Sequence, residues 1–228
     1  MTTLIIAVSG SCAAAAMTAA PWLAIVFGVV AYLLGSIPSA VWIGKAFYGV
    51  DVREHGSGNA GATNVLRVLG AKAAIPVFMA DSLKGLLAVL AACLIPGVDR
   101  SAEFFSALKI AYGLLAVVGH MYPVFAGFRG GKGVATTLGV AIAIQPLGAL
   151  VALGVFVAVF AATRYVSLSS LCAGLSFPLA TVFLLREQLL SVRIFVAFVC
   201  LLLFYTHRKN IRRLMGGVEP KTVFGKRK

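Results

Sequence analysis

Apolar runs of hydrocarbon length alternate with short polar stretches along the chain, and the polar stretches are rich in glycine and basic residues. A helix needs about 20 apolar residues to cross a bilayer. Residues 21–44 meet that length and predict a first span, and residues 74–95 a second. Asp81 and Lys84 stand three apart inside the second run. Charges are expensive there, so the two are expected to pair with each other or with a polar cluster. Residues 106–125 predict a third span. Residues 134–162 are harder to place, because 29 residues make a rod of roughly 43 Å against about 30 Å of hydrocarbon. Gln145-Pro146 interrupts them, and proline suits the first turn of a new helix. We read two short tilted helices, 134–144 and 147–162, with one long span as the alternative. Residues 171–185 and 192–205 complete the pattern. It predicts an all-α integral membrane protein, a bundle of seven transmembrane helices.

Composition sharpens this class. Of 228 residues, 61% are apolar and 12% charged, against about 45–50% and about 25% in soluble domains. We divide the chain into an extension over residues 1–20, a membrane domain over 21–219 and a basic tail over 220–228. Residues 1–20 are Ala-, Ser- and Thr-rich and uncharged, a loose extension or a weak interfacial helix. No Lys or Arg precedes Lys45, so no cleavable signal peptide is expected. The net charge of +13 would suggest nucleic acid in a soluble protein. Here it follows the positive-inside rule, and no folded soluble portion is left to hold nucleic acid. Lys45, Arg53, Arg67 and Lys72 after the first span put that side in the cytoplasm. The N-terminus is then outside and the C-terminus cytoplasmic. Cys12, Cys93, Cys172 and Cys200 show no CxxC spacing and read as buried structural thiols, with no metal site or disulfide framework.

The chemistry lies in the polar stretches. Residues 56–67 read GSGNAGATNVLR, where Gly56, Gly58 and Gly61 sit among Ser57, Asn59, Thr63 and Asn64 and the segment ends in Arg67. Such a loop can turn backbone N–H groups toward an anion, and ATNVLR could open a helix whose dipole adds to the attraction. Arg67 suits a phosphate dianion as a bidentate donor, or it marks topology alone. Residues 127–137 read GFRGGKGVATT and resemble a phosphate loop, with Gly130, Gly131, Lys132 and Gly133 as candidate phosphate ligands. The nucleotide pattern needs Gly six before the lysine and Ser or Thr after it. Ala126 and Gly133 stand there, and no acidic magnesium partner is evident, so ATP hydrolysis is not expected. The competing reading is a flexible interfacial turn with a snorkelling lysine.

Ser167, Ser169 and Ser170 close the fifth helix, as helix caps or as phosphate contacts. His207, beside Arg208 and Lys209, is a phosphate donor, a general base or a plain interfacial histidine. His120 reads as structural packing and His55 as a solvated loop residue. The His-x₄-Asp pattern of common glycerolipid acyltransferases is absent, because Ala60, Phe125 and Arg212 occupy the fifth positions after the three histidines. Under the predicted topology the polar clusters and His207 share the cytoplasmic face, a site for two anions without an obvious base.

The segments GSGNAGATNVLR, GHMYPVFAGFRGGKGVAT, RYVSLSS and HRKNIRRL, in this order, resemble the bacterial acyl-phosphate:glycerol-3-phosphate acyltransferase family, the PlsY family. The likeness runs from about residue 30 to 219. The resemblance implies a seven-helix enzyme of the bacterial inner membrane with its active site on the cytoplasmic face. It would move a long acyl chain from acyl phosphate to the sn-1 hydroxyl of glycerol 3-phosphate, giving lysophosphatidic acid and phosphate. An upstream acyl-phosphate-forming enzyme would supply the donor, membrane lipids would surround the bundle, and no cofactor or metal is implied. Ser57, Arg67, Lys132, Ser170 and His207 would surround the substrate phosphates. Asn59 and Asn64, with Gly58, Gly61, Gly130, Gly131 and Gly133, would shape the pocket. Asn210 would lie near the site and Glu219 would be structural. The departures are the extension and Ser169, where a small residue is commonly alanine. Acyl phosphate is already activated, so positioning and charge stabilisation are the main tasks. A substrate phosphate oxygen can then take the hydroxyl proton. A transporter of phosphate or a small organic anion is the alternative, since it would explain broken helices and intramembrane charges.

Overall fold

The computed structural model of the chain describes residues 21–222 apart from Gly97 and Asp99. The expected extension over residues 1–20 and the tail beyond residue 222 lie outside the described residues. All regular structure among the described residues is helical. The elements are α1 (Pro21–Gly35), α2 (Ser39–Tyr48), α3 (Ala62–Val68), α4 (Ala71–Leu90), α5 (Ala102–Met121), α6 (Val134–Ile144), α7 (Pro146–Thr163), α8 (Val166–Leu179), α9 (Leu190–Thr206) and α10 (Arg208–Met215).

The division of residues 134–162 at Gln145-Pro146 is observed, with Pro146 opening α7. The first predicted span is instead two helices bent by 41°. Pro38 lacks an N–H and disfavours helical backbone before it, so the apolar run breaks at the S-I-P step. The serine run also differs from expectation. It does not close a helix or cap one, since no side chain caps α8. Ser169 Oγ donates to the Tyr165 carbonyl at 2.8 Å and Ser170 Oγ to the Val166 carbonyl at 2.9 Å. This is back-bonding within the first turns of a helix that starts earlier than hydropathy suggested. Beyond Pro178 that helix relaxes into a π turn, Ala180–Leu184.

Four helical stretches are long and apolar enough to cross a bilayer: Ala71–Leu94, Ala102–Ala126, Pro146–Thr163 and Val166–Leu184. Two bent pairs, α1 with α2 and α9 with α10, bring the number to six where each pair counts as one span. Helix α6 has 11 residues, which is about 16 Å, roughly half of the about 30 Å of hydrocarbon. Cys93 is exposed, and Cys172 and Cys200 are partly so, which corrects the buried-thiol reading; all three are free.

Lipid gives helices no hydrophobic reason to associate, so close packing at small residues carries the contact. A Cβ on Gly139 of α6 would lie 1.8 Å from the Ser82 carbonyl oxygen of α4. One on Gly119 of α5 would lie 2.3 Å from that of Tyr32 in α1. These backbones touch only because glycine is there. Phe177 of α8 meets Phe195 of α9 edge to face at 6.3 Å, within the core that α4 to α9 share. The bend between α9 and α10, the loop before α6 and the turn after α7 meet at one end of the bundle. There Lys132 donates to Asn210, and the Arg164 carbonyl accepts from Thr222 N at 2.9 Å.

Candidate functional site

The first glycine loop is held by three residues, Asp51, Arg53 and Asn64. Asp51 Oδ1 caps the turn Val52–Glu54 through Arg53 N at 3.0 Å, and its carboxylate holds the Arg53 guanidinium at 2.7 and 3.0 Å. Hydrogen bonding from Arg53 keeps the Asp51 carboxyl well below the usual carboxylate range. Arg53 then reaches the Ala126 carbonyl at 2.8 Å and ties the first loop to the second. Asn64, buried on α3, closes the loop from the other side. Its Oδ1 accepts from Ser57 N at 2.8 Å and Ser57 Oγ at 3.1 Å, and its Nδ2 donates to the carbonyls of Val52 at 2.7 Å and His55 at 3.1 Å. Both donors and the acceptor oxygen of the amide are engaged. Asn64 therefore holds Ser57 and the loop and is not turned outward.

The second loop is seated on the end of α5. Gly131 N donates to the His120 carbonyl at 3.1 Å. A Cβ on Gly130 would lie 2.0 Å from that same oxygen. Gly133 has φ +79°, the left-handed conformation glycine adopts without strain, and caps the start of α6. These glycines are required first by packing, which lets Lys132 leave the loop in one direction.

Lys132 points to the C-terminal segment. Its Nζ donates to Asn210 Oδ1, and Asn210 Nδ2 donates to Glu219 Oε1 at 2.7 Å. Glu219 is the hub. Its Oε1 also accepts from Ser167 Oγ at 2.8 Å, and its Oε2 accepts from Arg213 Nε at 2.6 Å. Arg67 Nη2 stands 3.8 Å from Oε1. Burial opposes the Glu219 charge, but donation from Arg213, Asn210 and Ser167 holds its carboxyl below the usual range. Burial lowers the Arg67 guanidinium, against the pull of Glu219. Burial likewise lowers the Lys132 ammonium to about 8, with Arg213 and Arg67 adding to the shift and Glu219 resisting it. Three cations thus surround one carboxylate, an excess of two positive charges. Arg67 Nε is buried and has no partner among the described residues.

His207, at the bend between α9 and α10, lies three residues before Asn210 and is buried. Its Nδ1 is 2.9 Å from the Leu203 carbonyl, which can only accept, so Nδ1 carries the proton there and Nε2 is left for another partner. Leu203 also lines an apolar cavity of about 100 Å³ between α4, α6, α7, α8 and α9. Phe78, Thr137, Phe156, Ser170 and Phe177 share its wall. Ser170 is thus a wall residue of an apolar cavity.

Of the residues expected to act, Arg67, Lys132 and Asn210 converge on one junction, with His207 adjoining it. Ser57 and Asn59 belong to the first loop, which Arg53 anchors to the second, and neither hydrogen-bonds to the junction among the described residues. Gly58 has φ +71° within that loop, and Gly61 precedes α3. That helix has only seven residues, so it offers no developed dipole. Glu219, Arg213 and Ser167 are more central than sequence suggested. One signal was available: Glu219 is one of only 7 acidic residues in a chain of +13.

Residues 25–217 match the sequence model described as glycerol-3-phosphate acyltransferase. A glycerol-3-phosphate acyltransferase of Geobacillus kaustophilus is 48% identical over 200 residues, covering 87% of this chain and 96% of the relative. One from Chlorobaculum parvum is 39% identical over 224 residues, covering 87% and 96%. Among solved structures, an integral membrane glycerol 3-phosphate acyltransferase, PlsY, in its glycerol 3-phosphate form superposes with a TM-score of 0.77 at 42% identity, covering 87% of this chain and 94% of that one. Its lysophosphatidic acid form gives 0.74 at 40% identity, with the same coverage.

Proposed function

This chain belongs to the glycerol-3-phosphate acyltransferase family, and from that premise we propose that it moves a long acyl chain from acyl phosphate to the sn-1 hydroxyl of glycerol 3-phosphate. The products are lysophosphatidic acid and inorganic phosphate. The observation that carries the reading is the junction of Arg67, Lys132 and Arg213 around Glu219, whose excess charge suits a phosphate dianion. Ser170 and Leu203, each one helical turn from Ser167 and His207, line an apolar cavity. An anion cradle next to a hydrocarbon-lined cavity fits an acyl donor whose leaving group is phosphate.

In the step, the glycerol hydroxyl oxygen attacks the acyl carbonyl carbon. A carbon–oxygen bond forms to glycerol, and the carbon–oxygen bond to phosphate breaks. The hydroxyl proton passes to a phosphate oxygen, so the products balance with inorganic phosphate as leaving group. Arg67 and Lys132 hold the phosphates and stabilise the charge that develops as the bond to phosphate breaks. Ser57 and His207 add hydrogen bonds, and Asn59, with the backbone of Gly58, Gly61, Gly130, Gly131 and Gly133, shapes the cradle. The acyl tail lies along Phe78, Phe156 and Phe177, toward lipid. If His207 were instead the base, His207→Gln would remove a pKa from the kcat profile together with nearly all turnover.

The membrane arrangement follows as seven segments, with α6 as a short one. The loop at Lys132 and the turn at Arg164 both touch the segment running from Asn210 to Thr222. That shared partner supports two crossings between them. Basic residues at this end favour the cytoplasmic side of a bacterial inner membrane, where an acyl-phosphate-forming enzyme would supply the donor.

The test supplies purified protein with glycerol 3-phosphate and either palmitoyl phosphate or palmitoyl-CoA, and follows phosphate and lysophosphatidic acid with positional analysis. Product acylated at sn-1 from palmitoyl phosphate alone is expected. Product only from palmitoyl-CoA would overturn the donor.

A further inference from the structure

A charged group lies deep in the bundle, away from the junction. Asp81 is 1% exposed, Lys84 5% and His120 6%. Lys84 Nζ stands 2.8 Å from Asp81 Oδ1 and donates to the Ile37 carbonyl at 2.8 Å. Ile37 precedes Pro38 at the break between α1 and α2, so α4 grips the bend that leads into the first loop. On the other side, His120 Nδ1 lies 3.5 Å from Asp81 Oδ1. The opposite vertex of the ring meets the second loop: a Cβ on Gly131 would lie 2.2 Å from His120 Nε2. The His120 carbonyl holds Gly131 N and blocks any side chain at Gly130. The residue before Lys132 is thus held by both the ring and the main chain of His120.

Buried ion pairs add little stability over well-packed apolar side chains, and what they provide is orientation. We propose that Asp81, Lys84 and His120 are positioning residues that fix the angle of the second loop, and through Gly131 set Lys132 against Asn210. The proposal rests on the function above for the substrate that Lys132 meets. Asp81 orients the imidazole, the imidazole edge sets Gly131, and Lys84 references both to the bend at Ile37. Lys132 is faced by Arg67 from α3, by His207, Asn210 and Arg213 from the α9–α10 bend, and by Glu219 from the tail. A loop that tilts away carries the ammonium out of that buried environment.

The experiment compares wild type with His120→Gln, Asp81→Asn and Gly131→Ala. Two readouts are taken. One is the pH dependence of acetylation at Lys132, read by mass spectrometry, which needs no turnover. The other is kcat and KM for glycerol 3-phosphate. The expected result is a Lys132 inflection that rises from about 8 toward that of an ordinary lysine. With it, kcat/KM falls about tenfold to 100-fold, the scale of ångström-sized misplacement. Tm of His120→Gln and Gly131→Ala should stay within about 4 °C of wild type, while Asp81→Asn, which leaves Lys84 buried without its carboxylate, should fall further. Gly131→Ala guards against a variant that fails to fold, because it leaves the Asp81–Lys84 pair intact and pushes on the imidazole from the loop side. Wild-type inflections and kinetics in folded Gly131→Ala and His120→Gln proteins would overturn the proposal. A shifted inflection in a protein whose wild type does not turn over would uphold the positioning role and sink the functional reading instead.

Discussion

Lys132 is the residue with the sharpest consequence. In the proposed reaction its charged form holds the substrate anion, and burial lowers it to about 8. kcat/KM for glycerol 3-phosphate should therefore be level below that pH and fall as pH rises through it. In Lys132→Arg the guanidinium stays charged, so the alkaline limb should disappear from the pH profile even where the rate is reduced. Glu219 behaves oppositely. Its folded-state carboxyl is held below the ordinary range, so its contribution to stability is present above that range and is lost as pH falls through the depressed value. Glu219→Ala removes three charge-assisted bonds, each worth about 1.5–3 kcal/mol and less at the partly exposed Arg213. Thermal unfolding should show the loss directly. Arg67 and Lys132 could be singled out from sequence because glycine-rich and basic motifs carry their chemistry locally, whereas Asn210 was placed near the site by the family resemblance alone. The resemblance gave Glu219 a structural part, but not its partners, since these depend on the tail folding back onto α3, α8 and α10, contacts that no local pattern encodes.

At the scale of elements, hydropathy located the apolar segments well because burial in hydrocarbon is decided by composition over a turn or more. It missed the break at Pro38, because averaging over a span hides a single missing donor. It also missed the start of α8, because Ser169 and Ser170 satisfy their own hydroxyls by back-bonding and read as polar although they are helical. The close helix crossings predict where the bundle is least tolerant. Gly139→Val puts a side chain where the Ser82 carbonyl oxygen lies. The wedge should cost more than the about 1–3 kcal/mol of ordinary overpacking, because backbone and not side chain must move. Loss of monodisperse protein or a lowered Tm would register it. Helix α6 also carries the second loop at its start, so whatever protein survives should turn over poorly.

For the whole molecule, the anion junction and the apolar slot must act as one site. Gly174 sits on the slot wall, where a Cβ would approach Leu203 Cδ1 to 2.6 Å. Gly174→Leu should fill it, raising KM for a palmitoyl donor more than for a short-chain acyl phosphate; equal effects would separate slot from reaction. The claim on which the rest depends is that the Arg67–Lys132–Glu219 junction binds glycerol 3-phosphate. Isothermal titration of glycerol 3-phosphate into wild type, Arg67→Gln and Lys132→Gln in detergent tests it most directly. Each lost charge-assisted contact should weaken Kd by about tenfold to 100-fold, with thermal unfolding unchanged. Wild-type Kd in both folded variants would contradict the account and move the substrate site elsewhere.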